Sequence, residues 1–371
     1  MNKGFFGALW TFVGVTVGAG ILGLPYVFYK AGFVTGLIVT VFVAFFMTIL
    51  SLYLSEVVIR TKEKHQLSGL AERYLGNKGK IVMFLAQIIS IYGALAAYII
   101  GSGQALSSIF GGSSTLFSIL FFVLVSFVVY FSINIIEEFE SLFTPLKIAV
   151  ALILSIILLK FINFNNFSGF SYSNILIPYG VSIFAFTGLS AIPEMNEELR
   201  NKKYIFWAII FGMIISFLLY LLFTFTVVGS LGAVDEVATV SLSNVGSNIN
   251  LFANLFALLS MSTAFVVLGF ALKENLTLDF KISNSVSWMI VVAVPLFISL
   301  SGFFGFVKLL ELVGSFAIGI ILFMVLLMHS KAKTMGNRKP EYSLKDNWLV
   351  KSLFLLVLVV GLFYSILINF I

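Results

Sequence analysis

The sequence predicts an all-α integral membrane protein of about 11 transmembrane helices, the first and sixth of them interrupted in mid-membrane. Three observations predict it. Hydrophobic residues fill 60% of the 371 positions and charged residues only 10%, where a soluble domain carries roughly a quarter charged. The apolar residues arrive in long blocks, and about 20 of them suffice for a helix to cross a hydrocarbon core of about 30 Å. Two of these blocks hold glycine and proline at positions that work against a continuous helix. Such a composition excludes a soluble enzyme, a nucleic-acid-binding domain and a single-pass receptor. With no Cys there is no disulfide, no Fe–S cluster and no thiolate zinc site. The two histidines, His65 and His329, read as loop residues and offer no pair for haem or a metal.

Apolar runs bounded by polar stretches give spans at 5–29, 33–59, 80–108, 115–134 and 142–162, then 175–198, 203–230, 248–272, 284–301, 304–328 and 348–370. The N-terminal run has the charged and apolar regions of a signal peptide. It continues past residue 20 with Pro25 inside it and shows no small-residue cleavage site, so it reads as a retained helix. Sidedness follows from Lys and Arg. With the N-terminus cytoplasmic, all 22 of them fall on the inner side except Lys30, Lys160 and Lys308, which lie outside, and Lys147, which lies within a span. An odd number of spans then puts the C-terminus outside. The basic loops set topology and meet anionic lipid, with no nucleic acid required. The loops are short, and the inner one at 60–79 has room for an amphipathic helix around Leu67–Leu75. The outer segment Phe161–Asn174 is polar and aromatic, as an interfacial loop would be; Gly232–Ser247 is a second outer loop.

The first span reads Gly14-Val15-Thr16-Val17-Gly18-Ala19-Gly20-Ile21-Leu22-Gly23-Leu24-Pro25, and the sixth reads Phe184-Ala185-Phe186-Thr187-Gly188-Leu189-Ser190-Ala191-Ile192-Pro193. In a helix interior Gly costs about 1 kcal/mol and Pro about 3. In both spans a proline follows a glycine by the same interval, Gly20 to Pro25 and Gly188 to Pro193. The chain therefore reads as a five-helix repeat over 1–162, a second, inverted one over 175–328, and an extra helix at 348–370. Interrupted helices at matching places in inverted halves are the sequence pointer to a secondary transporter's binding site. Unwinding in lipid strands backbone groups unless something polar satisfies them. The N–H groups of Gly18, Ala19 and Gly20 open a half-helix whose dipole favours a carboxylate. Carbonyls around Thr16, Val17, Phe184 and Phe186 are placed to accept an ammonium, with Thr187 and Gly188 completing the second break. That chemistry fits an α-amino acid. The bland alternative for Gly14-x-x-x-Gly18 alone is helix packing; the matched second break argues against it.

Lys147 lies about five residues into span five. An ionisable group there is a functional candidate, its alternative being snorkelling to the headgroups. Span eight carries Ser260, Ser262 and Thr263 in an apolar run. These hydroxyls can coordinate Na⁺ with carbonyls freed in span one, around Gly14 and Val17, or bond back to their own helix.

The Gly14-to-Pro25 stretch resembles the first-helix signature of the amino acid/auxin permease family, particularly its aromatic amino acid permease branch. The Phe143–Lys147 start of span five, the Phe-x-Phe-x-Gly break and Ser262-Thr263 are similar too. The resemblance implies a leucine-transporter-type 5+5 inverted repeat and amino acid uptake by alternating access. It implies an ion site between the first and eighth helices, with Ser262 and Thr263 serving Na⁺ or Lys147 serving H⁺; H⁺ is favoured because an ammonium repels Na⁺. The sixth span lacks the histidine such aromatic permeases tend to carry, which weakens the expectation of aromatic specificity.

The expected core holds no Asp, Glu or Arg, so the substrate is expected to be a neutral amino acid, aromatic and large apolar ones included. Tyr92, Gly93, Ala94, Ala97 and Tyr98 of span three are expected to form one wall, and Phe184, Phe186 and Thr187 another, with Phe186 as a gate. Glu194, Glu197 and Glu198 are expected to be solvated or paired with Arg200, Lys202 and Lys203. No organic cofactor and no obligate protein partner is expected. A channel would show a filter repeat or charged ring, and an ATP-driven pump a phosphate loop; neither is present in the sequence. A non-transporting amino acid sensor or an exchanger on the same fold is the competing class.

Overall fold

The computed structural model describes residues 3–131, 134–278 and 281–370, and the side chains among them other than 3, 134–142, 278 and 368–370. Residues 132 and 133 of the expected fourth span thus lie outside the described residues. Among those described, the secondary structure is entirely helical. Eight helices are long and apolar enough to cross a membrane. A ninth span is formed by α1 (Lys3–Thr16) and α2 (Gly20–Ala31), bent by 52° at the break between them. Then come α3 (Phe33–Ile59), α4 (Leu67–Phe110), α5 (Ser114–Phe131) and α6 (Asn134–Leu158). The expected sixth span is two short helices, α7 (Tyr179–Ala185) and α8 (Ala191–Glu198). It is followed by α9 (Tyr204–Ser230), α10 (Ser247–Leu278) and the shorter α11 (Asn284–Leu300). The tenth runs through α12 (Phe306–Leu312), a π-helical turn at Val313–Ile318 and α13 (Gly319–Met335), and α14 (Trp348–Phe370) ends the chain.

Local chemistry explains the joints. The expected amphipathic helix near Leu67–Leu75 is present as the first turns of α4, joined to the span at Gly76, whose φ of 76° suits glycine alone. The π turn was not legible beforehand, since its residues are as apolar as their neighbours. It widens the helix where Gly314 meets the carbonyl of Gly180 at the start of α7. The segment after α6 folds into three 3₁₀ turns. Its Phe167 ring lies 4.9 Å from Phe225 of α9 and 4.7 Å from Phe33 of α3, closing that end of both.

Two expectations need correction. The interior does hold an acidic group, and one histidine is helical rather than in a loop. Glu56, near the end of α3, is fully buried, as is His329 on α13. His329 Nε2 lies 3.0 Å from Glu56 Oε2, and Arg60 Nε donates to Oε1 at 2.8 Å. Lys333 Nζ reaches Oε1 at 2.5 Å, and the Leu344 N–H donates to Oε2 at 2.8 Å. The Tyr53 ring stacks on His329 at 4.1 Å. Tyr342 donates to the Leu52 carbonyl, and its hydroxyl lies 2.8 Å from Ser55 Oγ. The carboxylate thus ties the segment between α13 and α14 onto the end of α3. Beside it, burial alone would raise the Asp346 carboxyl, but the Lys351 ammonium holds it below its ordinary value. The sequence marks each charge but not this meeting, because Glu56 and His329 are 273 residues apart.

Candidate functional site

The two breaks lie back to back. The α1 ladder closes with Val17 N–H donating to Val13 O at 2.7 Å; Gly18 N–H then turns to Thr16 O at 2.9 Å, and α2 begins at Gly20. In the sixth span Phe186 N–H donates to Ser182 O and Thr187 N–H to Phe184 O, before α8 opens at Ala191. The packing is reciprocal. A Cβ on Gly20 would lie 2.6 Å from Ala185 Cα, and one on Gly188 would lie 2.5 Å from Thr16 Oγ1. Gly14 faces Thr144 of α6, where a Cβ would come within 3.1 Å of its Oγ1. Gly18 differs from all three: a Cβ there meets nothing within 4 Å. Of the motif's glycines, Gly14 and Gly20 serve close packing, and Gly18 faces open space. Gly20→Ala is accordingly expected to lower stability by about 1–3 kcal/mol through overpacking against the Ala185 backbone, read as a fall in thermal midpoint of the purified protein.

The N–H groups that open α2, at Ala19, Gly20 and Ile21, have no partner within their own helix by the geometry of any helix start, and they carry the positive end of its dipole. The carbonyls divide. That of Thr16 is taken by Gly18 N–H and by the Tyr220 hydroxyl at 2.6 Å; that of Phe184 is taken by Thr187 N–H at 3.2 Å. Among the described residues no backbone N–H takes the carbonyls of Val17 or Phe186, which leaves these two as the acceptors for an ammonium. Thr187 turns its hydroxyl back to Ile183 O at 2.6 Å. Phe186 is fully buried rather than poised at an opening, its ring 5.2 Å from Tyr220 and 6.3 Å from Phe217.

Tyr92 is not brought to the breaks. Its hydroxyl donates to Ile290 O of α11 at 3.2 Å, while Ala94, Ala97 and Tyr98 are buried. Tyr220 of α9, which touches both breaks, was missed; it sits in an apolar run with no local signal to single it out.

Lys147 is 5% exposed, three residues beyond the buried Thr144 that meets Gly14. Residues three apart share a helix face, so Lys147 stands one turn beyond the α1 crossing, enclosed by protein. Ser262 and Thr263 lie on α10, against which α6 packs. Both bond back to their own helix, Ser262 to Leu258 O at 2.6 Å and Thr263 to Leu259 O at 2.9 Å. A cleft of about 780 Å³ leads to this region from the end bearing Glu194, Glu197 and Glu198. It is also lined by Trp10, Thr11 and Gly14 of α1 and by Thr144 and Pro145 of α6. All three glutamates are exposed, as the solvated reading expects; Glu197 pairs with Lys64 at 2.5 Å and Glu198 accepts from Thr11 at 2.8 Å rather than from Arg200, Lys202 or Lys203.

An all-helical membrane protein with its first and sixth spans broken and packed against each other has the architecture of the leucine-transporter-type fold. MhsT in complex with L-phenylalanine shares this fold, with a TM-score of 0.64 at 14% identity over 100% of this chain and 98% of that one. The model of the tryptophan/tyrosine permease family matches residues 1–368, and the chain belongs to that family. It is 28% identical to the tyrosine-specific transport system 1 of Haemophilus influenzae, over 74% of this chain and 73% of the relative. It is 24% identical to glutamine transporter 2 of Aliivibrio fischeri, over 73% of this chain and 74% of the relative. The protein is therefore a multi-pass membrane transporter of amino acids and not an enzyme.

Proposed function

We propose that the protein is a secondary active transporter of neutral L-amino acids, aromatic and large apolar ones included, coupled to H⁺ and working by alternating access. The observation that carries this reading is the open space beside Gly18 at the first break, which packs against the second. Unpaired N–H groups at the start of α2 take the substrate carboxylate, and the Val17 and Phe186 carbonyls take its ammonium. The named substrates of the relatives, tyrosine and glutamine, and the phenylalanine bound to MhsT are neutral, in keeping with this site. The kinship extends, in this reading, to the amino acid/auxin permeases.

Lys147 carries the coupling proton. Its burial beside the α1 crossing favours this over a lipid anchor; Ser262 and Thr263 give their protons to their own helix and keep their oxygen lone pairs, so Na⁺ coordination there is the alternative reading. No organic cofactor is needed. In this reading the N-terminus is cytoplasmic and the C-terminus outside, as the loops rich in Lys and Arg favour. The Glu-lined cleft is then the inward path for release, and the bilayer is the only standing partner.

Uptake of labelled L-tyrosine, L-phenylalanine and L-glutamine into proteoliposomes tests this, with a pH gradient and a Na⁺ gradient imposed separately. Uptake is expected to follow the pH gradient and to be lost in Lys147→Ala. Uptake driven only by Na⁺ and lost in Thr263→Ala would transfer the coupling to the hydroxyl pair. Binding without uptake under either gradient would favour a sensor or an exchanger.

A further inference from the structure

Thr16 closes α1 and Ala185 closes α7, so each carbonyl is the last before its break. In an unbroken helix these carbonyls would accept from the N–H groups of Gly20 and Leu189. The breaks remove both donors; Gly18 N–H takes up Thr16 O at 2.9 Å, while among the described residues no backbone N–H reaches Ala185 O, and a carbonyl left stranded away from water is costly. One side chain reaches both. Tyr220 of α9 has no accessible surface, and its hydroxyl lies 2.6 Å from Thr16 O and 3.0 Å from Ala185 O. A hydroxyl has a single proton to give. The shorter contact takes it, and rotation about the phenolic C–O bond brings the other carbonyl within its reach. The ring is held in turn by the edge of Phe186, at 5.2 Å and 62°.

We propose that Tyr220 is a positioning residue for amino acid binding, fixing the two breaks at the separation that one α-amino acid bridges. The proposal rests on the reading that substrate spans the breaks. Tyr220 does not touch the substrate; it acts through the two carbonyls, each one residue before a group assigned to the ligand (Val17 after Thr16, Phe186 after Ala185). The clamp is carried by the chain itself. Its loss should loosen the site without removing any group that contacts the substrate.

The test is the KM and kcat of uptake in proteoliposomes, measured with labelled L-tyrosine, L-phenylalanine and L-glutamine. Tyr220→Phe removes only the hydroxyl; it is expected to raise KM roughly 10-fold, the effect of one lost buried hydrogen bond, with kcat little changed. Replacing Tyr220 with 4-aminophenylalanine restores a donor at the same position and is expected to return KM to the wild-type value. A wild-type KM in Tyr220→Phe, or a fall in kcat with KM unchanged, overturns the proposal. Should Tyr220→Phe fail to fold, the 4-aminophenylalanine protein decides: wild-type KM supports the clamp, and a raised KM overturns it. Gly18→Leu, run in parallel, separates the two levels. Normal transport by Gly18→Leu sinks the bridging reading itself, whereas a silent Gly18→Leu beside a wild-type Tyr220→Phe sinks only the clamp.

Discussion

Gly18→Leu is expected to yield a folded, membrane-inserted protein that no longer binds its amino acid. The reasoning is geometric. A Cβ at Gly18 meets nothing within 4 Å, and the residue does not have the positive φ that favours glycine. A leucine there has a Cβ that meets no neighbour and needs no positive φ, and stability is expected to stay within about 1 kcal/mol of the wild type. It does fill the space into which the substrate's charged groups are to be placed. Losing two hydrogen bonds to charged groups, at about 1.5–3 kcal/mol each, weakens binding by more than about 100-fold. Equilibrium binding of labelled L-tyrosine, L-phenylalanine and L-glutamine to the purified variant, alongside its thermal midpoint, checks both halves. Gly20→Ala should behave in the opposite way, losing stability first, because its neighbour is backbone rather than open space. The contrast between two glycines two residues apart is what separates a binding role from a packing role.

The second large effect concerns Glu56. Glu56→Gln removes a buried charge that faces His329, Arg60 and Lys333 and accepts the Leu344 N–H. Breaking one side of a buried ion pair leaves the other side uncompensated and costs about 3–5 kcal/mol. Chemical denaturation of the detergent-solubilised protein should show a loss of that size. Limited proteolysis should then cut the 336–347 segment, which Glu56 holds through Leu344. A variant with wild-type stability and an uncut segment would mean that the cluster contributes nothing net to folding.

How much of this was legible in the sequence depends on how local each cause is. The limits of α3, at 33 and 59, follow from apolar run length and were read correctly. Both breaks were legible because glycine and proline act on their own helix. Which glycine packs and which faces open space was not, since Gly18 and Gly20 differ only in what a distant helix places beside them. Tyr220 escaped notice for the same reason: its partners are 204 and 35 residues away. Tyr92 was drawn into the site by span and residue type alone, and the side of α4 it occupies faces α11 instead. Ser262 and Thr263 both donate back to their own helix, which is a local bond and leaves their lone pairs outside what the sequence or that bond decides. Lys147 could be placed in a span but not assigned an enclosure; that depends on how α6 packs against α9 and α10 and where its Thr144 meets Gly14 of α1.

The central claim is that one amino acid bridges the two breaks. The most direct measurement is an experimental density map of the full chain in lipid nanodiscs, with saturating amounts of whichever of L-tyrosine, L-phenylalanine and L-glutamine binds most tightly. The account predicts ligand density beside Gly18, its carboxylate within hydrogen-bonding distance of the Ala19 and Gly20 N–H groups and its ammonium near the Val17 and Phe186 carbonyls. Density lodged elsewhere, such as between α4 and α11 beside Tyr92, with the space at Gly18 empty, would contradict it.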